Sequence, residues 1–268
     1  MPPKPDNAVV IDRVDHHEDL ATFRIAYRDG REPEFKPGQY ATLGLHGPTP
    51  DDGKPPKLIR RMYSVASPAP GDHVDRKHVS FYIVQVDEGA LTPSLFDLKP
   101  GDTLFMAERF GGHFTLDPIP TDHHVVCVGT GTGLAPFRAM YFTHKDDEPK
   151  RWSKFVLLEG CRTAADLAYH DELQAAASED PDFVYLPTVT REPEGSSYAG
   201  YRGRVTDLLR PERFSELAGF SLDPVNTSVL LCGNPAMIDQ VESELTDVGF
   251  TTHSKKSPQG TLYFERYW

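Results

Sequence analysis

The sequence predicts two domains of different construction: an N-terminal antiparallel Greek-key β-barrel over residues 1–118 and a C-terminal α/β domain built on a parallel sheet over residues 119–268. Up to about residue 118 the apolar residues fall in short, alternating, turn-bounded runs, as antiparallel strands with one buried face do. Beyond it they fall in unbroken runs separated by helical stretches, as in a parallel sheet covered by helices. Composition agrees: 268 residues, 38% apolar and 25% charged, suit a folded chain with a substantial core rather than a disordered or fibrous one.

In the first half the strands read as Leu20–Tyr27, Gln39–Leu45, Met62–Ala66 and His78–Val86. Turn chemistry separates them at Lys36-Pro37-Gly38, the loop His46–Lys57, Pro68–Gly71 and Lys99-Pro100-Gly101, where proline fixes φ and glycine supplies positive φ. The 24 prolines predict many short elements, and six strands are expected in the barrel. In the second half the strands read as Val125–Val128, Phe155–Leu158, Phe183–Val189 and Ser228–Cys232, with segments between them long enough for right-handed crossovers. The clearest helix takes Asn234 as N-cap and Pro235 as its first residue, places Met237, Ile238, Val241, Leu245 and Val248 on one face, and stops before Gly249. A second runs over Tyr169–Ala177. Pro48–Pro56 and Glu192–Tyr198 read as exposed loops.

The net charge of −12 comes from 40 acids against 28 bases and argues against a nucleic-acid backbone or an anionic membrane as partner. Cys127, Cys161 and Cys232 stand singly, which excludes a disulfide framework, a four-thiolate metal site and an iron–sulfur cluster and suits a reducing compartment. No metal site is predicted. Met1-Pro2-Pro3-Lys4-Pro5 opens without an apolar segment and no run of about 18 apolar residues follows, so a cytoplasmic location is expected.

Gly129-Thr130-Gly131-Thr132-Gly133-Leu134-Ala135-Pro136 follows a strand and opens a helix. Such glycines let backbone N–H groups approach a pyrophosphate, with the helix N-terminus adding positive potential. Its third glycine comes one residue early for the dinucleotide fingerprint G-x-G-x-x-G, and a tight structural turn would look the same. Arg61-Met62-Tyr63-Ser64 lies on a strand. A guanidinium there can neutralise a phosphate, a tyrosine ring can cover a flat heterocycle and a hydroxyl can reach a ring nitrogen. Strand alternation puts Arg61 and Tyr63 on one side and Ser64 on the other; a polar outer strand face is the competing reading.

Taken in order, Phe35-Lys36-Pro37-Gly38-Gln39-Tyr40, Arg61-Met62-Tyr63-Ser64, Gly89-Ala90-Leu91-Thr92, the Gly129–Pro136 loop and Cys232-Gly233-Asn234-Pro235-Ala236-Met237 resemble the ferredoxin–NADP⁺ reductase superfamily along nearly the whole chain. The ending Phe264-Glu265-Arg266-Tyr267-Trp268 resembles its bacterial ferredoxin/flavodoxin type. The resemblance implies FAD on the barrel: Arg61 on the pyrophosphate, Met62 beside it in the motif, Tyr63 against the isoalloxazine and Ser64 near the reacting ring nitrogen. Tyr82, Ile83 and Val84 would run beside the ribityl and adenine end, and Ala90, Leu91 and Thr92 would offer backbone N–H and hydroxyl donors to the pyrophosphate. Tyr267 would cover the other flavin face and Trp268 stack on adenine, unless the pair is a packing plug.

For the second domain it implies NADP(H), approached by Gly131, Thr132 and Gly133, with Thr132 also within reach of the flavin, and by Gly233, Asn234 and Pro235. Cys232 would position the nicotinamide, the competing reading being a buried small apolar residue, and Glu265 would orient nicotinamide or relay a proton. Arg162, Thr190, Arg191 and Arg204 would take the 2′-phosphate that separates NADP from NAD; Glu159 is a counter-signal, since an acid at that strand end can bind a 2′-hydroxyl. The implied activity is reversible hydride transfer between NADP(H) and FAD, coupled to one-electron exchange with ferredoxin or flavodoxin by a monomer. The alternatives are the flavin reductase component of a multicomponent oxygenase and a non-catalytic nucleotide-binding redox sensor. An acidic redox partner requires a local basic patch, for which Arg60, Arg109, Lys150, Arg151, Lys154, Lys255 and Lys256 are candidates.

Overall fold

A computed structural model of the chain describes residues 6–51, 54–69 and 77–266; the predicted roles of Tyr267 and Trp268, and part of the turn Pro68–Gly71, lie outside these. The chain divides into two compact units, Met1–Thr115 with Arg138–Thr143, and Leu116–Phe137 with His144–Trp268.

The first unit is the antiparallel barrel. Its strands are β1 (Ala8–His17), β2 (Leu20–Tyr27), β3 (Tyr40–His46), β4 (Leu58–Ser64), β5 (Val79–Val84) and β6 (Thr103–Met106), in the sheet order β4-β3-β6-β1-β2-β5. The two ends of that order meet where Val65 bridges Phe81 and Ala66 N–H donates to Ser80 O at 2.8 Å, so the sheet closes on itself and leaves few unpaired edges. Phe23, Ile25, Leu43, Phe81, Ile83, Leu104 and Met106 fill the interior. Strands β1 and β6 escape the sequence pattern for different reasons. β1 is bulged between Val10 and Asp12 and again between Asp15 and His17, and each extra residue resets the two-residue alternation, leaving Ile11 and Val14 outward; β6 has only four residues. β4 runs Leu58–Ser64 rather than Met62–Ala66. One short helix, α1 (Thr92–Phe96), precedes β6.

The second unit is a six-stranded sheet of β7 (His124–Thr130), β8 (Phe155–Cys161), β9 (Phe183–Val189), β10 (Tyr201–Arg202), β11 (Thr227–Gly233) and β12 (Leu262–Arg266). Its order is β10-β9-β8-β7-β11-β12, every pairing parallel. Helices α2 (Leu134–His144), α3 (His170–Glu179), α4 (Pro211–Ala218) and α5 (Pro235–Asp247) lie between the strands in sequence. Asn234 caps α5 by accepting from Ala236 N–H at 2.8 Å, with Pro235 first in the helix. Val248 corrects the predicted face: the helix ends at Asp247, Val248 is 59% exposed, and Phe250 is fully buried instead. From β7 the chain proceeds outward through β8, β9 and β10, then returns to place β11 on the other side of β7. The carboxyl ends of β7 and β11 therefore flank a topological switch point, where open α/β sheets open a crevice for ligands.

Candidate functional site

Both chemistry-bearing loops of the second unit leave the sheet at that switch point. A Cβ on Gly133 would stand 2.4 Å from the backbone oxygen of Cys232, and one on Gly233, at φ +120°, would stand 2.3 Å from Thr130 Oγ1. Only glycine lets the two backbones approach this closely. Thr130 Oγ1 then accepts from Asn234 N–H at 2.8 Å, tying the β7 loop to the start of α5. Glycine spacing alone does not reveal this contact of Thr130. Gly131 differs from its neighbours: at φ +53° the position of its missing Cβ faces open space.

Gly129, Cys232 and Glu265 stand in one row across β7, β11 and β12. Cys232 is fully buried and Glu265 half-buried, so strand pairing brings together two residues 33 positions apart that the sequence singled out separately.

A second group lies past the carboxyl ends of β8 and β9. Arg191 N–H donates to Arg162 O at 2.7 Å, and Thr190 N–H to Cys161 O at 3.1 Å, which sets the two loops side by side. Gly203 N–H donates to Val189 O at 2.9 Å and Arg204 N–H to Asp207 Oδ2 at 3.0 Å. Arg162, Arg191 and Arg204 are exposed, and among the described residues none of their guanidinium groups has an acidic partner. Uncompensated guanidinium groups beside a strand-end crevice suit a phosphate.

Glu159 corrects the sequence reading. It is fully buried, accepts from Tyr185 OH at 2.5 Å and has the Cys161 thiol 3.7 Å away, so it does not face a ribose. Burial pushes its carboxyl up to about 7 against the hydrogen bonds from Tyr185 and Cys161, and burial likewise raises the Cys161 thiol. The β8–β9 pairing sets this contact: Glu159 is registered with Pro187, two residues along β9 from Tyr185 and therefore on the same face of the sheet.

In the barrel, Arg60, Arg61 and Met62 are all exposed on β4, Met62 at 63%, so both faces of this stretch are open, while its pairing with β3 runs without a register shift. Arg61 donates to the Arg60 carbonyl at 2.8 Å and has no acidic partner among the described residues. Tyr63 leans on the barrel core, where burial raises its hydroxyl to about 12, and Ser64 is buried. Tyr82 and Ile83 are buried and Val84 half-buried; Tyr82 meets the His16 ring edge-on at 5.8 Å.

The Gly89–Thr92 segment needs one correction. Thr92 Oγ1 accepts from Val86 N–H at 3.0 Å and donates to Val86 O at 3.1 Å, so its hydroxyl closes the loop and is spent. Leu91 is core, and exposed Ala90 leaves backbone as the polar surface on offer. Arg13, unmarked in the sequence, steadies this segment: it donates to Phe96 O and to Leu98 O, the latter at 3.1 Å, and stacks over Phe23 and Phe96.

Three members of the expected basic patch are already engaged. Lys150 pairs with Asp180 at 2.8 Å and Asp182 at 3.2 Å, Arg151 donates to Leu116 O and Lys154 to Pro181 O. No helix of the described residues is long and apolar enough to cross a membrane.

Comparison with known proteins matches this architecture. Residues 127–243 match the family described as the oxidoreductase NAD-binding domain. The chain is 30% identical to the ferredoxin–NADP reductase of Pseudomonas aeruginosa over 263 residues, 94% of this chain and 93% of that one. It is 30% identical to the flavodoxin/ferredoxin–NADP reductase of Rhodobacter capsulatus, over 94% and 90% of the respective chains. The crystal structure of a ferredoxin NADP⁺ reductase from Neisseria gonorrhoeae with bound FAD and NADP superposes with a TM-score of 0.81, covering 97% of this chain and 98% of that one at 24% identity, a likeness of fold.

Proposed function

The chain belongs to the ferredoxin–NADP reductase family and is an oxidoreductase, and on that premise we propose that it holds FAD on the barrel, binds NADP(H) on the parallel-sheet unit and serves a ferredoxin or flavodoxin. The observation that carries the proposal is the likeness to full-length reductases over 94% of the chain. It is supported by exposed, acid-free guanidinium groups at the positions the motifs single out.

FAD, when bound, supplies the conversion between a two-electron hydride and single electrons. The protein's own groups bind and orient. Arg61 neutralises the FAD pyrophosphate with the backbone of Ala90 and Leu91 beside it, Met62 lies alongside in the same strand, Tyr63 and Ser64 address the ring, and Tyr82, Ile83 and Val84 border the ribityl and adenine end. Gly131, Thr132 and Gly133, with Gly233, Asn234 and Pro235, offer backbone donors and close approach to NADP(H). Cys232 positions the nicotinamide, and Glu265 orients it or relays a proton. Arg162, Thr190, Arg191 and Arg204 take the 2′-phosphate. Tyr267 and Trp268 keep the flavin- and adenine-stacking roles implied by the family.

The absorbance spectrum of the purified protein before and after anaerobic NADPH tests this. A yellow protein whose flavin bands bleach is expected; a colourless chain that FAD cannot reconstitute overturns the proposal. NADPH should exceed NADH in catalytic efficiency, and a ratio at or below one removes the 2′-phosphate assignment. Ferredoxin-coupled cytochrome reduction should fall with rising salt while ferricyanide reduction persists; equal salt dependence of both would point away from a charged protein partner.

A further inference from the structure

Glu192 lies in no motif and has no role in the assignments above, yet it holds the arginine loop in place. Its Oε2 accepts from Ala164 N–H at 2.6 Å, joining the loop after β9 to the loop after β8. The same two loops are joined by Arg191 N–H to Arg162 O and by Thr190 N–H to Cys161 O, so Glu192 is the side-chain fastening of a backbone seam that carries Arg162 on one side and Arg191 on the other. The seam is locked from behind by Arg202, which donates to Glu192 O at 2.9 Å and to Ser196 Oγ at 3.0 Å. The backbone N–H of Ala164 and the side chains of Ser196 and Arg202 all hold the Glu192 carboxyl below the usual carboxylate range.

We propose that Glu192 is a positioning residue for 2′-phosphate recognition, clipping the β8 and β9 loops together so that Arg162 and Arg191 are presented to the phosphate from adjoining backbone. This rests on the reading that these arginines take the 2′-phosphate of NADP(H). A carboxylate beside an anion site is otherwise unfavourable, since like charges oppose binding. Its use as a hydrogen-bond acceptor for Ala164 separates two effects that substitutions can resolve. Glu192→Gln keeps an acceptor oxygen and removes the charge; Glu192→Ala removes both. Ala164→Pro removes the donor instead, at the first position of a helical turn where proline is tolerated.

The experiment is calorimetric titration of the flavin-loaded wild type and the three variants with 2′,5′-ADP and with 5′-AMP. The wild type should prefer 2′,5′-ADP. Glu192→Ala and Ala164→Pro should weaken 2′,5′-ADP about five- to tenfold, the scale of one ordinary hydrogen bond's net contribution, and change 5′-AMP less than about twofold. Glu192→Gln should bind 2′,5′-ADP at least as tightly as wild type, and in steady state KM for NADPH should rise in Glu192→Ala with kcat retained. An unchanged ligand ratio in Glu192→Ala, or equal weakening in Glu192→Gln, overturns the positioning role while leaving the 2′-phosphate site standing. A wild type with no preference for 2′,5′-ADP removes both.

Discussion

The two units make their candidate sites by different means. In the parallel-sheet unit the crevice is made of backbone: Gly133 against Cys232 O, Gly233 against Thr130, and Asn234 N–H on Thr130 Oγ1. In the barrel it is made of side chains raised on one strand, Arg60, Arg61 and Met62 in succession. A site built from close backbone approach has little tolerance, because an added Cβ meets atoms that cannot swing aside. A site built from exposed side chains can lose one of them and keep its fold. Substitutions should therefore uncouple folding from binding in the barrel and merge them in the sheet.

Gly133→Val is the largest break expected. With Cys232 O 2.4 Å from the first added carbon, it should lower stability by several kcal/mol, roughly the scale of core overpacking or worse, and abolish nucleotide binding with it; a thermal midpoint near that of wild type would remove the close-approach argument.

Glu159→Gln comes next and sharpens the comparison from inside the sheet. A carboxyl at about 7 in the fold and at its ordinary value when unfolded binds more protons folded than unfolded between those values. Stability from this group is thus full below about pH 4.5 and falls as pH rises to about 7, then levels. The variant should lose that slope and gain on the order of 3 kcal/mol above pH 7. Denaturant melts from pH 5 to 8 check it, and parallel curves for the two proteins would refute the buried acid.

Arg61→Ala should release FAD, raising its dissociation constant more than about tenfold for a lost charge-assisted phosphate contact. The flavin-free barrel should melt as wild type does, because among the described residues the Arg61 side chain gives one hydrogen bond, to the neighbouring Arg60 carbonyl. Flavin fluorescence on dilution reads the first and circular dichroism the second; a fallen melting point would make Arg61 structural. Smallest is Asn234→Ala. Loss of the cap on α5 should cost about 1 kcal/mol, and a denaturation midpoint unchanged in that variant would show the Ala236 N–H bond to be idle.

Legibility followed the same division. Strands β7, β8, β9 and β11 and the cap of α5 were plain in the sequence because unbroken apolar runs and an Asn-Pro start are local signals; β10, of two residues, and β12, whose Leu262–Arg266 ends in charged residues, carry no such run and went unread. The bulges of β1 hid that strand because they break the two-residue period on which recognition depends. Of the candidate site residues, the glycines and arginines could be named from motif order. The contacts of Thr130, Arg13 and Glu192 could not be read, since each is made with a backbone group far along the chain: Asn234 N–H, Leu98 O and Ala164 N–H.

By itself the sequence determined the two-unit plan, the parallel and antiparallel character of the sheets, and the order of the family motifs, all of which depend on periodicity and turn chemistry between near neighbours. Only the tertiary structure decided that Glu159 turns inward to Tyr185, that the Thr92 hydroxyl is spent on Val86, and that Glu192 clips two arginine-bearing loops together. The reason is physical: a side chain's type sets what it can bond, but whether the bond goes to a ligand or to the protein depends on which distant backbone atom folding brings within about 3 Å.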